Sequence, residues 1–147
     1  MIVSLQQFLE TGTIGNLRLG VTAEDVRELL GPPDDVGGTS RKYPRPSIYV
    51  YGSVELFFSQ SRPARWDGIW WYAHRGPFCL TTDATQQLLS PGMRREEVEA
   101  RLTNAGLTFH APAHEERIVP TLVLASGVTV VLHEDDGGLY SVASYGG

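Results

Sequence analysis

Fourteen residues, Gly20-Val21-Thr22-Ala23-Glu24-Asp25-Val26-Arg27-Glu28-Leu29-Leu30-Gly31-Pro32-Pro33, constrain this chain more than any others. Thr22 is a strong N-cap residue, and Asp25 stands three positions on, where a capping box places its acidic partner. Glu24 and Asp25 put negative charge in the first turn, where the helix dipole favours it. Val26, Leu29 and Leu30 fall at i, i+3 and i+4 and form one narrow apolar stripe. Gly31 supplies a left-handed stop, and Pro32-Pro33 forbid continuation. A helix this short does not persist alone in water, so it must dock on another layer.

The pattern returns at an offset of 72 in Gly92-Met93-Arg94-Arg95-Glu96-Glu97-Val98-Glu99-Ala100-Arg101-Leu102, where the glycine, the acidic pair, the valine and the final leucine coincide. Arg94 replaces the capping threonine, so the second copy lacks its cap. The flanking segments run in parallel. Ser4 to Leu9 and Thr82 to Leu89 read as short opening helices. Ser47 to Tyr51 and Val54 to Phe58 flank the two-residue turn Gly52-Ser53, as Ile118 to Ala125 and Val128 to Leu132 flank Ser126-Gly127. Ile69 to Ala73 and Leu139 to Ala143 close the two series, while 34–46 is a loop too broken for a core element and His110 to Glu116 is a loop or edge. Internal repetition outranks any single motif. The expected fold is therefore α+β: two tandem ααβββ repeats, residues 1–77 and 78–147, forming one continuous antiparallel sheet with the helices packed on one face.

The segment Gly20 to Val26, continued through Leu29-Leu30-Gly31-Pro32-Pro33, resembles the helix signature of the SmpA/OmlA-like repeat, and Gly92-Met93 with Glu96-Glu97-Val98 resembles its second copy. That resemblance implies two helices on a three-stranded antiparallel sheet. A tandem of such units is similar to the beta-lactamase inhibitor protein (BLIP-like) fold, whose joined sheets form a concave surface that grips another protein. The motif specifies a capped helix and no chemistry. Outer-membrane members carry a lipoprotein signal, which is not seen here, and the inhibitor is held by disulfides, which the single Cys79 cannot form. The implied role is protein binding, with neither beta-lactamase nor outer-membrane assembly implied as its object.

Alternation within the strands divides aliphatic from aromatic residues. With the aliphatic side turned to the helices, the other face of the sheet is expected to carry Tyr49, Tyr51, Phe57, Trp70 and Tyr72, joined in the second half by Val123, Thr129, Val131 and Tyr140. Large, stiff, amphipathic side chains are enriched at protein interfaces, whereas the open face of an antiparallel sheet is ordinarily polar. The partner-binding residues expected are thus Tyr49, Tyr51, Phe57, Trp70, Tyr72 and Tyr140. The same face would equally serve self-association or packing of one repeat on the other.

Catalytic and metal patterns are weak by comparison. His110-Ala-Pro-Ala-His114 has neither the spacing nor the helix of a zinc protease, and Pro112 breaks the segment that carries it. His133-Glu134-Asp135-Asp136 runs into Gly137-Gly138 and reads as a turn, whereas the segment with His114, Glu115 and Glu116 reads as a solvated loop. Cys79 sits in apolar company without an adjacent base, and there is no nucleophile elbow, Walker loop or dinucleotide fingerprint. No catalytic residue, metal or cofactor is expected.

The twelve basic residues are scattered in a chain of net charge −5, and Arg41, Lys42 and Arg45 form the one local basic group, read as a solvated loop. That argues against nucleic acid as partner. No stretch approaches the ~20 apolar residues of a membrane span, and the N-terminus lacks a signal-peptide pattern, so a soluble, cytoplasmic protein is expected. The functional expectation is a non-catalytic protein–protein interaction module, inhibitor- or immunity-like. The alternatives are a small-molecule sensor or enzyme with a pocket between the repeats, built around Trp66, Trp70, Trp71 and His74, and a self-associating structural protein.

Overall fold

The computed structural model describes residues 5–42, 44–76, 78, 88–90, 92–112, 120–133 and 138–145. Helix α1 (Leu5–Thr11) turns Leu5, Phe8 and Leu9 inward. Helix α2 (Ala23–Leu30) carries the expected capping box: Thr22 Oγ1 accepts from the Asp25 N–H at 3.2 Å, and Asp25 Oδ2 accepts from the Thr22 N–H at 3.2 Å. It stops at Gly31, whose φ of 81° is costly for any residue with a Cβ. Helix α3 (Arg95–Asn104) has Arg94 at its N-cap and no side-chain cap, as expected for an arginine at that position.

Eight strands follow the chain: β1 (Asp35–Gly37), β2 (Ile48–Tyr51), β3 (Val54–Phe58), β4 (Trp66–Tyr72), β5 (Phe109–His110), β6 (Thr121–Leu124), β7 (Thr129–Leu132) and β8 (Leu139–Tyr145). They form one open sheet in the order β1-β2-β3-β4-β8-β7-β6-β5, and every neighbouring pair is antiparallel. The fold is α+β, with two four-stranded meanders meeting edge to edge at β4 and β8.

Two departures from the expected elements have simple causes. The loop over 34–46 contains β1, because pairing with β2 holds Asp35, Val36 and Gly37 extended despite their poor strand propensity. The third strand starts at Trp66 rather than Ile69, because Trp66 pairs with Phe58 across an irregularity in register. The expected second opening helix lies almost wholly on residues outside the described ones, and Leu88 and Leu89 are not helical.

One face of the sheet is the core. Cross-strand partners share a face, so Tyr51, Val54, Trp71, Val142, Val130 and Leu122 line up across six strands, and Leu56 pairs with Ile69 in the next row. The inward residues of α1, Val26 of α2, and Val98 and Leu102 of α3 belong to the same buried cluster. Phe78 stacks on Phe8 with centroids 5.8 Å apart and meets Trp71 edge-on at 5.9 Å, tying α1 to β4. Backbone bonds from Gly20 to Trp66, Trp66 to Val21, and Ala23 to Ala64 fasten the start of α2 to the start of β4. The Ser126 hydroxyl donates to the Leu9 carbonyl at 2.7 Å, so the β6–β7 turn is secured to α1.

Both outer strands are short, three residues at β1 and two at β5. Val36, 47% exposed, donates its N–H to Asp35 Oδ1 at 2.8 Å. A short edge whose donor is already occupied resists further strand addition.

Candidate functional site

The face opposite the core is where the chemistry-bearing side chains gather. Trp70 and Tyr72 lie two residues apart on β4 and therefore point to one side. Opposite them on β8 stand Ala143 and Ser141, and opposite Trp70 on β3 stands Glu55. Small partners on β8 leave room for the rings, which stack 5.4 Å apart at an interplanar angle of 10°.

Beyond Tyr72 the chain tightens into a 3-10 turn at Ala73–Arg75. That turn brings His74 edge-on to Tyr72 at 5.9 Å and parallel to Tyr140 at 6.0 Å. Tyr140 in turn meets His133 at 4.9 Å. Trp70, Tyr72, His74, Tyr140 and His133 thus form a continuous row of rings. It starts on β4, crosses the β4–β8 junction, and ends just beyond β7.

Charge is fixed at one side of the row. The Arg75 guanidinium lies over the Tyr72 ring at 4.3 Å and donates to Glu55 Oε1 at 3.0 Å. Burial, followed by the neighbouring Glu55 carboxylate, raises the Tyr72 phenol above its ordinary range. The phenol therefore stays neutral over physiological pH and acts as a polar tip on an apolar ring.

The expected aromatic face is corrected at two positions. Tyr49 pairs with Leu56 and Tyr51 with Val54, so both tyrosines lie on the core side and Ile48 and Val50 take the opposite one. Tyr51 is buried and donates its hydroxyl to the Gly31 carbonyl at 2.9 Å, while Tyr49 packs on Phe58 with ring centroids 4.6 Å apart. A buried phenol is acceptable there because its oxygen finds an unpaired carbonyl at the end of α2. Phe57, Trp70 and Tyr72 do share a face, with Val123, Thr129 and Val131 on its far half, and Tyr140 enters through its contact with His74.

The four residues grouped above as a pocket are separated. Trp66 and Trp71 are core residues whose indole N–H groups donate to the carbonyls of Gly68 at 2.8 Å and Gly76 at 2.9 Å. Trp70 and His74 are on the other side. His133, read from the sequence only as part of a turn, joins the ring row, and the signal for it is its place directly after β7. Cys79, His114, Glu115, Glu116 and Glu134 to Asp136 lie outside the described residues.

Among the described residues no three His, Cys, Asp or Glu side chains come together as a metal site, and no helix is long and apolar enough to cross a membrane. Two hydroxyls on the ring-bearing side, those of Ser141 and Thr121, are buried with no hydrogen-bond partner among the described residues. No protein family, no curated protein and no solved structure matches this chain.

Proposed function

We propose that this chain is a cytoplasmic, non-catalytic protein-binding module, inhibitor- or immunity-like, that grips its partner with the sheet face bearing Trp70, Tyr72, His74 and Tyr140. The observation that carries this reading is the ring row across the β4–β8 junction. Such a row offers stiff apolar area with polar tips at little cost in side-chain entropy, the combination that concentrates binding energy at interfaces. Its Arg75 adds a cation already held in place by Glu55.

Underneath lies a tandem architecture: two SmpA/OmlA-like units, residues 1–77 and 78–147, joined as in the beta-lactamase inhibitor protein fold. The mirrored strand order supports it, since α2 precedes one four-stranded meander and α3 precedes the other. The capped helix and its uncapped counterpart support it as well.

The test is affinity capture with the wild-type chain and with Trp70→Asp/Tyr72→Asp, both verified as folded, followed by reconstitution with the purified captured protein. A protein bound by the wild type alone upholds the reading. Equal binding by both forms removes this face from the account.

A further inference from the structure

We propose that the loops at one end of the β2–β3 hairpin form a binding cleft for a phosphate group, either the free ion or one carried on a small molecule. Between residues 36 and 66 the chain has five basic residues, Arg41, Lys42, Arg45, Arg62 and Arg65, and one carboxylate, Glu55, although its net charge is −5. The sequence separates these cations into two groups. The fold brings Lys42 and Arg45 of one group to Arg62 of the other.

The β2–β3 pairing sets the segment before β2 beside the segment after β3, with the Phe58 N–H donating to the Ser47 carbonyl at 2.8 Å. The two segments enclose a cleft of about 70 Å³ whose walls include Lys42, Arg45 and Arg62 and no carboxylate. One water needs only ~10–15 Å³, so a group of several heavy atoms fits. Neither Arg45 nor Arg62 has an ion-pair partner among the described residues. Cations gathered around one concavity focus a positive potential into it and concentrate anions there.

The wall on the β3–β4 side is pre-formed. The Ser59 N–H donates to the Arg65 carbonyl at 2.8 Å, and the Arg65 N–H donates to Ser59 Oγ at 3.1 Å. Ser61 Oγ donates to the Pro63 carbonyl at 3.0 Å, which leaves Ser59 as donor in the 2.6 Å contact between the two hydroxyls. Both serine protons are therefore spent on shaping the loop. Arg65 is committed too, donating from its guanidinium to the Gly20 carbonyl at 2.9 Å. The donors left to meet an anion include the guanidinium groups of Arg45 and Arg62. A guanidinium fork matches two phosphate oxygens at once, which favours phosphate over a spherical ion such as chloride.

The experiment titrates inorganic phosphate, and separately phosphoserine, into the ¹⁵N-labelled chain at constant ionic strength set with chloride. Saturable shifts confined to the amides of 42, 45, 59–62 and 64 are expected, weakened at least tenfold in Arg45→Gln/Arg62→Gln. The control Arg101→Gln, which removes an exposed charge on α3, the helix that precedes the meander at the other end of the sheet, should leave the affinity unchanged within about twofold, because salt screens distant exposed charges. All three arginines are exposed, so the variants should keep the fold, and unshifted core amides would establish that. If both ligands bind, the cleft recognises the phosphate group wherever it is carried; if only the inorganic ion binds, the free ion is its ligand. Unsaturable shifts, shifts reproduced by chloride, or equal affinity in the double variant would overturn the proposal.

Discussion

The hydroxyl of Tyr51 donates to the carbonyl of Gly31 across 2.9 Å, joining the second strand of the sheet to the end of the capped helix. The last carbonyls of a helix have no partner within it, and a phenol rising from the sheet below supplies one. Replacing Tyr51 by Phe keeps the ring and removes the bond. The variant should lose about 1 kcal/mol of unfolding free energy, the net worth of such a bond, measurable from paired urea denaturation curves. An unchanged midpoint would mean that water replaces the phenol without loss.

The same burial has a pH signature. Desolvation, with help from Tyr49 and Asp34 against the lowering effect of Arg27, pushes the Tyr51 phenol from 10.0 up to about 12. The folded chain therefore holds this proton over a range in which the unfolded chain releases it. Stability from this source is complete below pH 10 and is lost as pH rises from about 10 to about 12, by roughly 2–3 kcal/mol at most. Tyr51→Phe should flatten that part of the stability profile. The raised Tyr72 phenol should leave a residual slope of the same sign.

Helices α2 and α3, one capped and one not, make a reciprocal test of capping. Thr22→Ala removes the half of the box in which Thr22 Oγ1 accepts from the Asp25 N–H, leaving the Thr22 N–H bond to Asp25 Oδ2, and should cost about 1 kcal/mol. Arg94→Thr creates the same arrangement at α3, where Glu97 already stands three residues on. It should gain about 0.5–1 kcal/mol. Thermal melts of the two single variants should move in opposite directions.

Ser141 offers a substitution that should do no harm. It is fully buried and its hydroxyl has no partner among the described residues, so the fold bears the cost of taking that group out of water. Ser141→Ala removes the unpaired oxygen and little volume, and should be neutral or stabilising by up to about 1 kcal/mol. A clear loss on denaturant titration would reveal a hydrogen bond at this site.

Much of the architecture was readable locally. Thr22, Asp25 and Gly31 announced α2, and Gly52-Ser53 placed the β2–β3 hairpin within a residue of its bounds. Side-chain type, aliphatic against aromatic, points to the wrong face for Tyr49 and Tyr51, which pair with Leu56 and Val54 on the core side. The better signal was in the turn. A two-residue turn makes Tyr51 the cross-strand partner of Val54, so Tyr51 must share the face of Val54, Leu56 and Phe58. By contrast, nothing local announces that β4 pairs with β8, since Trp71 and Val142 meet from distant parts of the chain. That pairing is what extends the ring row from Trp70 to Tyr140. The phosphate cleft was half legible in the same way: Lys42 and Arg45 were visible as a basic loop, and Arg62 arrives only through the hairpin.

The central claim is that the ring row is the contact surface. Its most direct test is hydrogen–deuterium exchange on the reconstituted complex, compared with the free chain. The account predicts added protection over 70–75 and 139–143, with no change in α2 or α3. Protection confined to the helices, with 70–75 and 139–143 exchanging as in the free chain, would contradict it.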